Sequence, residues 1–269
     1  MAPQDDDTVQ SSGSRPALGA EMTLAVFDFD GTLTRGGSVW RFLASLRGRR
    51  QVALAAFPVL PKLLGAAIFG GTRSDAAKEA LFRRTLGGLP AEEVASHARG
   101  FGVSHYERHA RSDTRERLEW HRAQGHRLLI VSASPGLLLD GVAELLQVDA
   151  AIGTRLAVDA KGHLTGTYEG ENCRGAQKIL RVHAWIADAR GTPIKVRSET
   201  SDDEASDHED APPDPTPFIW AYGNSAGDRQ LLAGANRGVD VGRLGRFGKL
   251  RRFTRLRSVH PRQVSRSTR

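Results

Sequence analysis

The sequence predicts a three-layer α/β fold: a parallel sheet with helices on both faces and a helical segment inserted after the first strand. Three observations predict it. Apolar runs at Leu24-Ala25-Val26-Phe27, Leu128-Leu129-Ile130-Val131 and Phe218-Ile219-Trp220-Ala221-Tyr222 each end in short polar residues, as buried parallel strands do. Helix-spaced apolar residues follow the second and third runs, giving strand, turn and helix in the order of an α/β unit. Between the first and second runs lies a long stretch of helical pattern, about residues 36 to 112.

The first run delivers Asp28 and Asp30 one residue apart and then reaches Gly31. Residues two apart on a strand share a face, so the two carboxylates would crowd each other if the strand ran on. Gly31 allows a turn there, which leaves Asp28 at the strand's carboxyl end and Asp30 on the loop beyond. Two acids in a carboxyl-end crevice suit a hard divalent cation, and their like charges call for one.

In the insert, Val39, Phe42, Leu43 and Leu46 have helix spacing. The stretch from Val52 to Phe69 is the most apolar, but Pro58, Pro61 and Lys62 interrupt it, and its clean runs fall short of the roughly 20 residues of a membrane span. Buried cap helices are the expectation there. Ser74-Asp75 reads as a capped helix start and Pro90-Ala91-Glu92-Glu93 as another, with helical pattern continuing to about Gln124.

The second strand ends at Ser132-Ala133-Ser134, and Pro135-Gly136 turns into a helix marked by Leu137, Leu138, Val142 and Leu145. Ala150–Gly153 is a short strand; Leu156–Val158 and Leu164–Tyr168 form a hairpin of exposed strands. Gly170-Glu171-Asn172-Cys173-Arg174-Gly175-Ala176-Gln177-Lys178 opens a helix that places Lys178 near its start. Residues 199–217 hold eight acids and several prolines, with no large apolar residue, and are expected to be a disordered acidic loop. The last apolar run then brings Asn224 and Asp228 to its carboxyl end, with a helix over Arg229–Ala235.

The single cysteine, Cys173, excludes an intrachain disulfide and fits a cytoplasmic setting. Residues 1–22 are polar and lack signal-peptide pattern, so a disordered leader is expected. The net charge of +7 is concentrated in residues 243–269, which carry ten Lys or Arg and no acid, leaving 28 bases against 31 acids before them. The body of the chain is therefore close to neutral. The tail has Leu244, Phe247, Leu250, Phe253 and Leu256 at three-residue intervals. Three readings compete: it packs that stripe on the domain, with a disordered end after Ser258, it contacts nucleic acid or anionic lipid, or it is disordered throughout.

Asp28-Phe29-Asp30-Gly31-Thr32-Leu33-Thr34 at the end of an apolar run resembles the first motif of the haloacid dehalogenase-like hydrolases, in the branch of the phosphoserine phosphatases. Ser132, Lys178 and Gly223–Asp228 match later motifs in order, so the resemblance spans about Thr23 to Val241. It implies a Rossmann-like catalytic core over 23–35 and 113–242, with residues 36–112 as a helical cap. It also implies a Mg²⁺-dependent phosphatase acting on a small phosphorylated substrate. Asp28 would be the nucleophile that forms an aspartyl-phosphate and Asp30 the proton donor, with Ser132 and Lys178 holding the phosphoryl group. Thr32, Ser132 and Ala133 would contact substrate, and Arg83 or Arg84 of the cap would face a carboxylate or second phosphate. Asp28, Asp30, Asn224 and Asp228 form the metal set. Two departures stand out. Asn224 replaces the family's usual Asp, and Gly37 stands where phosphoserine phosphatases place a Glu that grips the substrate amine. Phosphoserine phosphatase is therefore the alternative activity. A catalytically weak protein that binds nucleic acid or lipid through its basic tail is the alternative of another class.

Overall fold

The computed structural model describes residues 22–59, 72–190, 217–242 and 254–256. All but the last residue of the leader and of the acidic segment, and most of the tail, lie outside the described residues, as does the second half of the apolar stretch that begins at Val52.

Among the described residues, the first strand, β1 (Thr23–Phe27), is followed by the α-helices α1 (Val39–Arg47), α2 (Arg49–Ala56), α3 (Thr72–Thr85) and α4 (Ala91–His109). Next come α5 (Ser112–Ala123), β2 (Arg127–Pro135), α6 (Gly136–Leu145) and β3 (Ala150–Thr154). The hairpin β4 (Leu156–Val158) and β5 (Leu164–Tyr168) precedes α7 (Ala176–Ala189), β6 (Phe218–Gly223), α8 (Arg229–Gly234), β7 (Arg237–Asp240) and the two-residue β8 (Thr254–Arg255). The main sheet has the order β3-β2-β1-β6-β7-β8 with every pairing parallel. β1 is central, and its ends lie beside those of β2 and β6.

Strand alternation sorts the core into two faces. Ala25 and Phe27 of β1 join Ile130, Trp220, Tyr222 and Val239 in one apolar cluster, closed by Tyr106 of α4, Leu118 of α5, and Leu139 and Val142 of α6. Leu24 and Val26 point the other way, onto Leu129, Val131 and Ala221, where Val182 and Ile186 of α7 and Leu231 and Leu232 of α8 cover them. Full burial of each large side chain is worth about 1.5–3 kcal/mol. Leu256, from the apolar series of the tail, packs against the first cluster, and β8 extends the sheet beside it. This part of the tail docks on the domain.

A third cluster joins Phe42 and Leu43 of α1, Val52 of α2, Leu81 and Phe82 of α3, and Val94 and Ala98 of α4 with Leu156 and Leu164 of the hairpin. The hairpin, although distant in sequence, shares its core with the inserted helices. Its strands are therefore not simply exposed, because Leu156 and Leu164 point inward. The insert meets the core where α4 crosses α6: a Cβ on Gly102 would lie 2.1 Å from the Leu138 carbonyl oxygen, and one on Gly141 2.6 Å from that of Arg99. Only glycine permits that approach. Two expectations for the insert need correcting. α3 starts at Thr72, so Ser74 lies inside it rather than capping it. On α2 and the 3₁₀ turn after it, Val52, Ala56 and Val59 are buried, but Leu54 and Phe57 face solvent. No helix among the described residues is long and apolar enough to cross a membrane.

Behind the sheet, His121 of α5 is fully buried. Its Nε2 lies 2.8 Å from the Tyr222 hydroxyl and its Nδ1 2.7 Å from His126 Nδ1. Burial, reinforced by neighbouring His126 and Arg117, lowers its pKa from 6.5 to about 2. The folded state therefore holds this ring neutral, whereas the unfolded chain protonates it below pH 6.5. Stability linked to His121 is present above that pH and is lost as pH falls, by about 1.4 kcal/mol for each unit below it. Urea unfolding at pH 7.0 and 5.5 should show wild type losing about 1 kcal/mol more than His121→Gln over that interval. Equal losses would contradict the assignment.

Candidate active site

The carboxyl ends of β1, β2 and β6 place their polar residues around one cavity of about 230 Å³. Asp28, Asp30, Ser132, Ala133 and Lys178 line it, as the motif order predicts. Lys78, Ser134 and Arg174 line it as well. A larger open hollow of about 680 Å³ beside β3 and α6 contains neither Asp28 nor Asp30.

Asp28 continues the β1 ladder through its N–H to the Tyr222 carbonyl at 3.0 Å. Its carboxylate is buried, and its two oxygens face different partners. Lys178 Nζ donates to Oδ1 at 2.6 Å, and Thr32 Oγ1 donates to Oδ2 at 3.0 Å. Lys178, in the first turn of α7, also donates to Asp228 Oδ1 at 2.5 Å. Asp228 Oδ2 accepts from the backbone N–H groups of Asn224 and Ser225 at 3.1 and 2.9 Å and from Ser225 Oγ at 2.8 Å, closing a capping box at the turn before α8.

One lysine thus bridges two buried acids, and the three groups divide their charge unequally. Burial raises the pKa of Asp28 to about 7, helped by the charge of Asp228 and opposed by Lys178. Burial also opposes ionisation of Asp228, but Lys178 and the Ser225 bonds outweigh it and hold this carboxyl below its usual range. Burial alone would lower the Lys178 pKa; Asp28 and Asp228 reverse that and push it above the ordinary lysine value.

Gly31 has φ +84°, and a Cβ there would lie 2.0 Å from an end atom of the Asn224 side-chain amide. This glycine both turns the chain and lets Asn224 approach. With its nitrogen facing inward, the Asn224 amide donates to Thr32 Oγ1 at 3.2 Å, Asp28 Oδ2 at 3.3 Å and the Asp30 carbonyl oxygen at 3.2 Å. The amide therefore satisfies acceptors that a cation would otherwise neutralise. Turned by half a revolution it presents an oxygen beside the other two, giving the all-oxygen set that Mg²⁺ takes. The donors fit the ion. Among the described residues no three His, Cys, Asp or Glu side chains gather as a metal cage, so a cation here relies on one carboxylate, neutral oxygens and water. Asp228 has spent both oxygens elsewhere, which leaves Asn224 as the ligand candidate from the last motif.

The Asp30 carboxylate is held from the side of the inserted helices. Ser38, just before α1, gives its N–H to Oδ1 and its hydroxyl to Oδ2, both at 2.9 Å, while Ser134 Oγ donates to Oδ2 at 2.7 Å. Ser132 is buried, and its Oγ accepts the Ser134 N–H at 3.2 Å. Arg111 bonds the Gly31 and Val241 carbonyls at 3.0 and 2.9 Å, tying the Asp30 loop to the end of β7. Thr32 is fully buried beneath Asp28 and positions that carboxylate rather than facing the cavity.

Arg83 and Arg84 do not reach this site. Arg83 faces solvent beside Glu79, at 3.7 Å, and Arg84 borders a separate hollow with Arg47 and Gln51. The cation that α3 sends into the cavity is Lys78, whose Nζ donates to the Ala133 carbonyl at 2.6 Å and to Asn172 Oδ1 at 3.3 Å. Sequence reasoning missed Lys78, Arg174, Ser38 and Ser134. Only Ser134 left a signal, since it alternates with Ser132 on one strand face.

Comparison with known proteins agrees with this geometry. The chain is 30% identical over 225 residues to Protein CicA of Caulobacter vibrioides, covering 82% of this chain and 88% of that protein. Its fold is similar to that of a protein of unknown function from Bordetella pertussis Tohama I, with TM-score 0.65 and 19% identity over 87% of this chain and 98% of that one. It is also similar to a phospho-aspartyl intermediate analogue of a phosphoserine phosphatase, with TM-score 0.52 and 20% identity over 82% and 87% of the two chains. The family model of haloacid dehalogenase-like hydrolases matches residues 25–233, more than half of the sequence, and the chain belongs to that family.

Proposed function

We propose that the protein is a Mg²⁺-dependent phosphomonoesterase that hydrolyses a small phosphorylated metabolite through an aspartyl-phosphate on Asp28. The observation that carries this reading is the division of labour at Asp28. One oxygen is fixed by Lys178, the other meets Thr32 and the Asn224 amide, and Asp30 lines the same cavity. The likeness in fold to a phosphoserine phosphatase captured as a phospho-aspartyl analogue agrees with it.

In this mechanism an Asp28 oxygen attacks phosphorus, the ester P–O bond breaks, and the Asp30 carboxyl gives its proton to the departing alkoxide. Ser38 and Ser134 hold Asp30 in place for that transfer. Asp30 then takes a proton from water, whose oxygen attacks the phosphoryl group and frees Asp28. Lys178 and Ser132 stabilise charge on the transferring group. Mg²⁺, held by Asp28, the Asp30 carbonyl and Asn224, would neutralise the repulsion between phosphate dianion and carboxylate. The inserted helices, with Ser38 and Lys78 at the cavity, exclude water from it. Phosphoserine is the less favoured substrate, because Gly37 is exposed and offers no acid to an amine. A cytoplasmic setting suits an enzyme whose one thiol, Cys173, is free and buried.

Asp28→Asn should abolish release of phosphate from ester substrates, by about 10³-fold or more. The thermal midpoint should hold or rise, since burial already disfavours the Asp28 charge. Turnover near that of wild type would remove the covalent step. Asn224→Asp adds a charge to the cation set, so calorimetry should show Mg²⁺ binding tightened several-fold. In the absence of Mg²⁺ the same variant should melt lower, because a second carboxylate then faces Asp28. Unchanged Mg²⁺ affinity would exclude Asn224 as a direct ligand.

A further inference from the structure

We propose that Lys78 and Arg174 form a second anion subsite in the catalytic cavity, so that the substrate is a small phosphate ester carrying a second anionic group. This deepens the phosphatase reading and rests on it.

Lys78 projects from α3 into the cavity, yet its two hydrogen-bond acceptors, the Ala133 carbonyl and the Asn172 amide oxygen, are both neutral. Among the described residues no carboxylate lies within 4.0 Å of its ammonium, and the rings of Phe82 and Tyr168 stand 5.8 Å away. Two of three N–H donors are used, which leaves one. Lys178, the other lysine at the site, is by contrast held by two carboxylates. The difference shows in their acidity. Burial lowers the Lys78 pKa to about 8 despite Asp75 and Asp30, whereas Lys178 stays above the ordinary value. A buried ammonium with neutral partners and a spare donor is strengthened by any anion that enters, and a charge-assisted bond there is about twice as strong as a neutral one.

Arg174 lines the same cavity, 3.5 Å from Asp75. Asp75 also accepts from Asn172 Nδ2 at 2.6 Å. Asn172 therefore links Lys78 to Asp75 and Arg174, which sets two cations in the lining of one cavity. The cavity, about 230 Å³, lies below the roughly 300–1,000 Å³ of drug-sized ligand sites. It holds a phosphate and a short carbon stem with one further anionic group, not a nucleotide. The second group is a carboxylate or a second phosphate, the anions that a lysine and an arginine bind through charge-assisted hydrogen bonds.

The test compares ethyl phosphate, 2-phosphoglycolate and ethylene glycol bisphosphate as substrates for wild type, Lys78→Gln and Arg174→Gln. Wild type should favour at least one of the two dianionic-plus substrates over ethyl phosphate by tenfold or more in kcat/KM. Which of them it favours tells carboxylate from phosphate. Lys78→Gln, which keeps a hydrogen-bond donor, should reduce that ratio to about two, mainly through KM; Arg174→Gln should lower it in the same direction and serves if the lysine variant does not fold. No preference in wild type, or equal losses on all three esters in the variants, would overturn the subsite. Binding of the same compounds to Asp28→Asn, with and without Lys78→Gln, separates the two readings. A binding preference without turnover in wild type upholds the subsite and removes the phosphatase, while absence of both removes the subsite.

Discussion

The bridge of Lys178 to Asp28 and Asp228 is the constraint on which the rest of the site depends. Three ionisable groups are buried together, and removing them from water costs several kcal/mol per ion unless each is compensated. Two acids and one lysine leave one negative charge without a partner, and the penalty falls on Asp28, whose pKa burial raises to about 7. That carboxylate is the one still short of a cation, facing Thr32, the Asn224 amide and the Asp30 carbonyl. The same bridge fixes the geometry of the elements that meet there. It joins the end of β1 to the first turn of α7 and to the capped turn before α8, so those parts cannot shift independently.

A second set of contacts couples the inserted helices to this centre. Ser38 holds the Asp30 carboxylate, and Lys78 bonds the backbone at Ala133. Each contact joins a residue of the insert to one at the end of a core strand. Closure of the insert and completion of the site are therefore one event in physical terms: if the helices withdraw, Asp30 loses two of its three donors, and Lys78 leaves the cavity. The tight crossing at Gly102 and Gly141 anchors α4 to α6, and the shared apolar cluster ties α1 to α3 to α4.

The core of this arrangement was legible because it obeys local rules. Asp28, Ser132 and Asn224 sit at the ends of apolar runs, and a parallel sheet gathers such ends into one crevice. Lys178 was readable only through the order of motifs, since a lysine near a helix start is ordinarily solvated. Lys78 had no signal at all. Its helix has weak amphipathic pattern, and the two arginines that follow Phe82 look equally suited to an anion, yet they point to solvent while Lys78 points in. Which face of α3 meets the core is decided by packing of Leu81 and Phe82 against Leu164 of the hairpin, a pairing of segments some 80 residues apart. Likewise the sharing of Asp228 between Lys178 and its own turn depends on α7 and β6 being adjacent, and spacing alone made it a metal ligand.

The central claim is that Asp28 carries the phosphoryl group during turnover. Rapid quenching of the enzyme with a good substrate and Mg²⁺, followed by borohydride reduction and peptide mass spectrometry, tests it most directly, because an acyl phosphate is reduced where a free carboxylate is not. The account predicts conversion of residue 28 to homoserine, dependent on substrate and with Asp30 and Asp228 unchanged. Release of phosphate at full rate with no reduction at residue 28, or reduction at another acid, would contradict it.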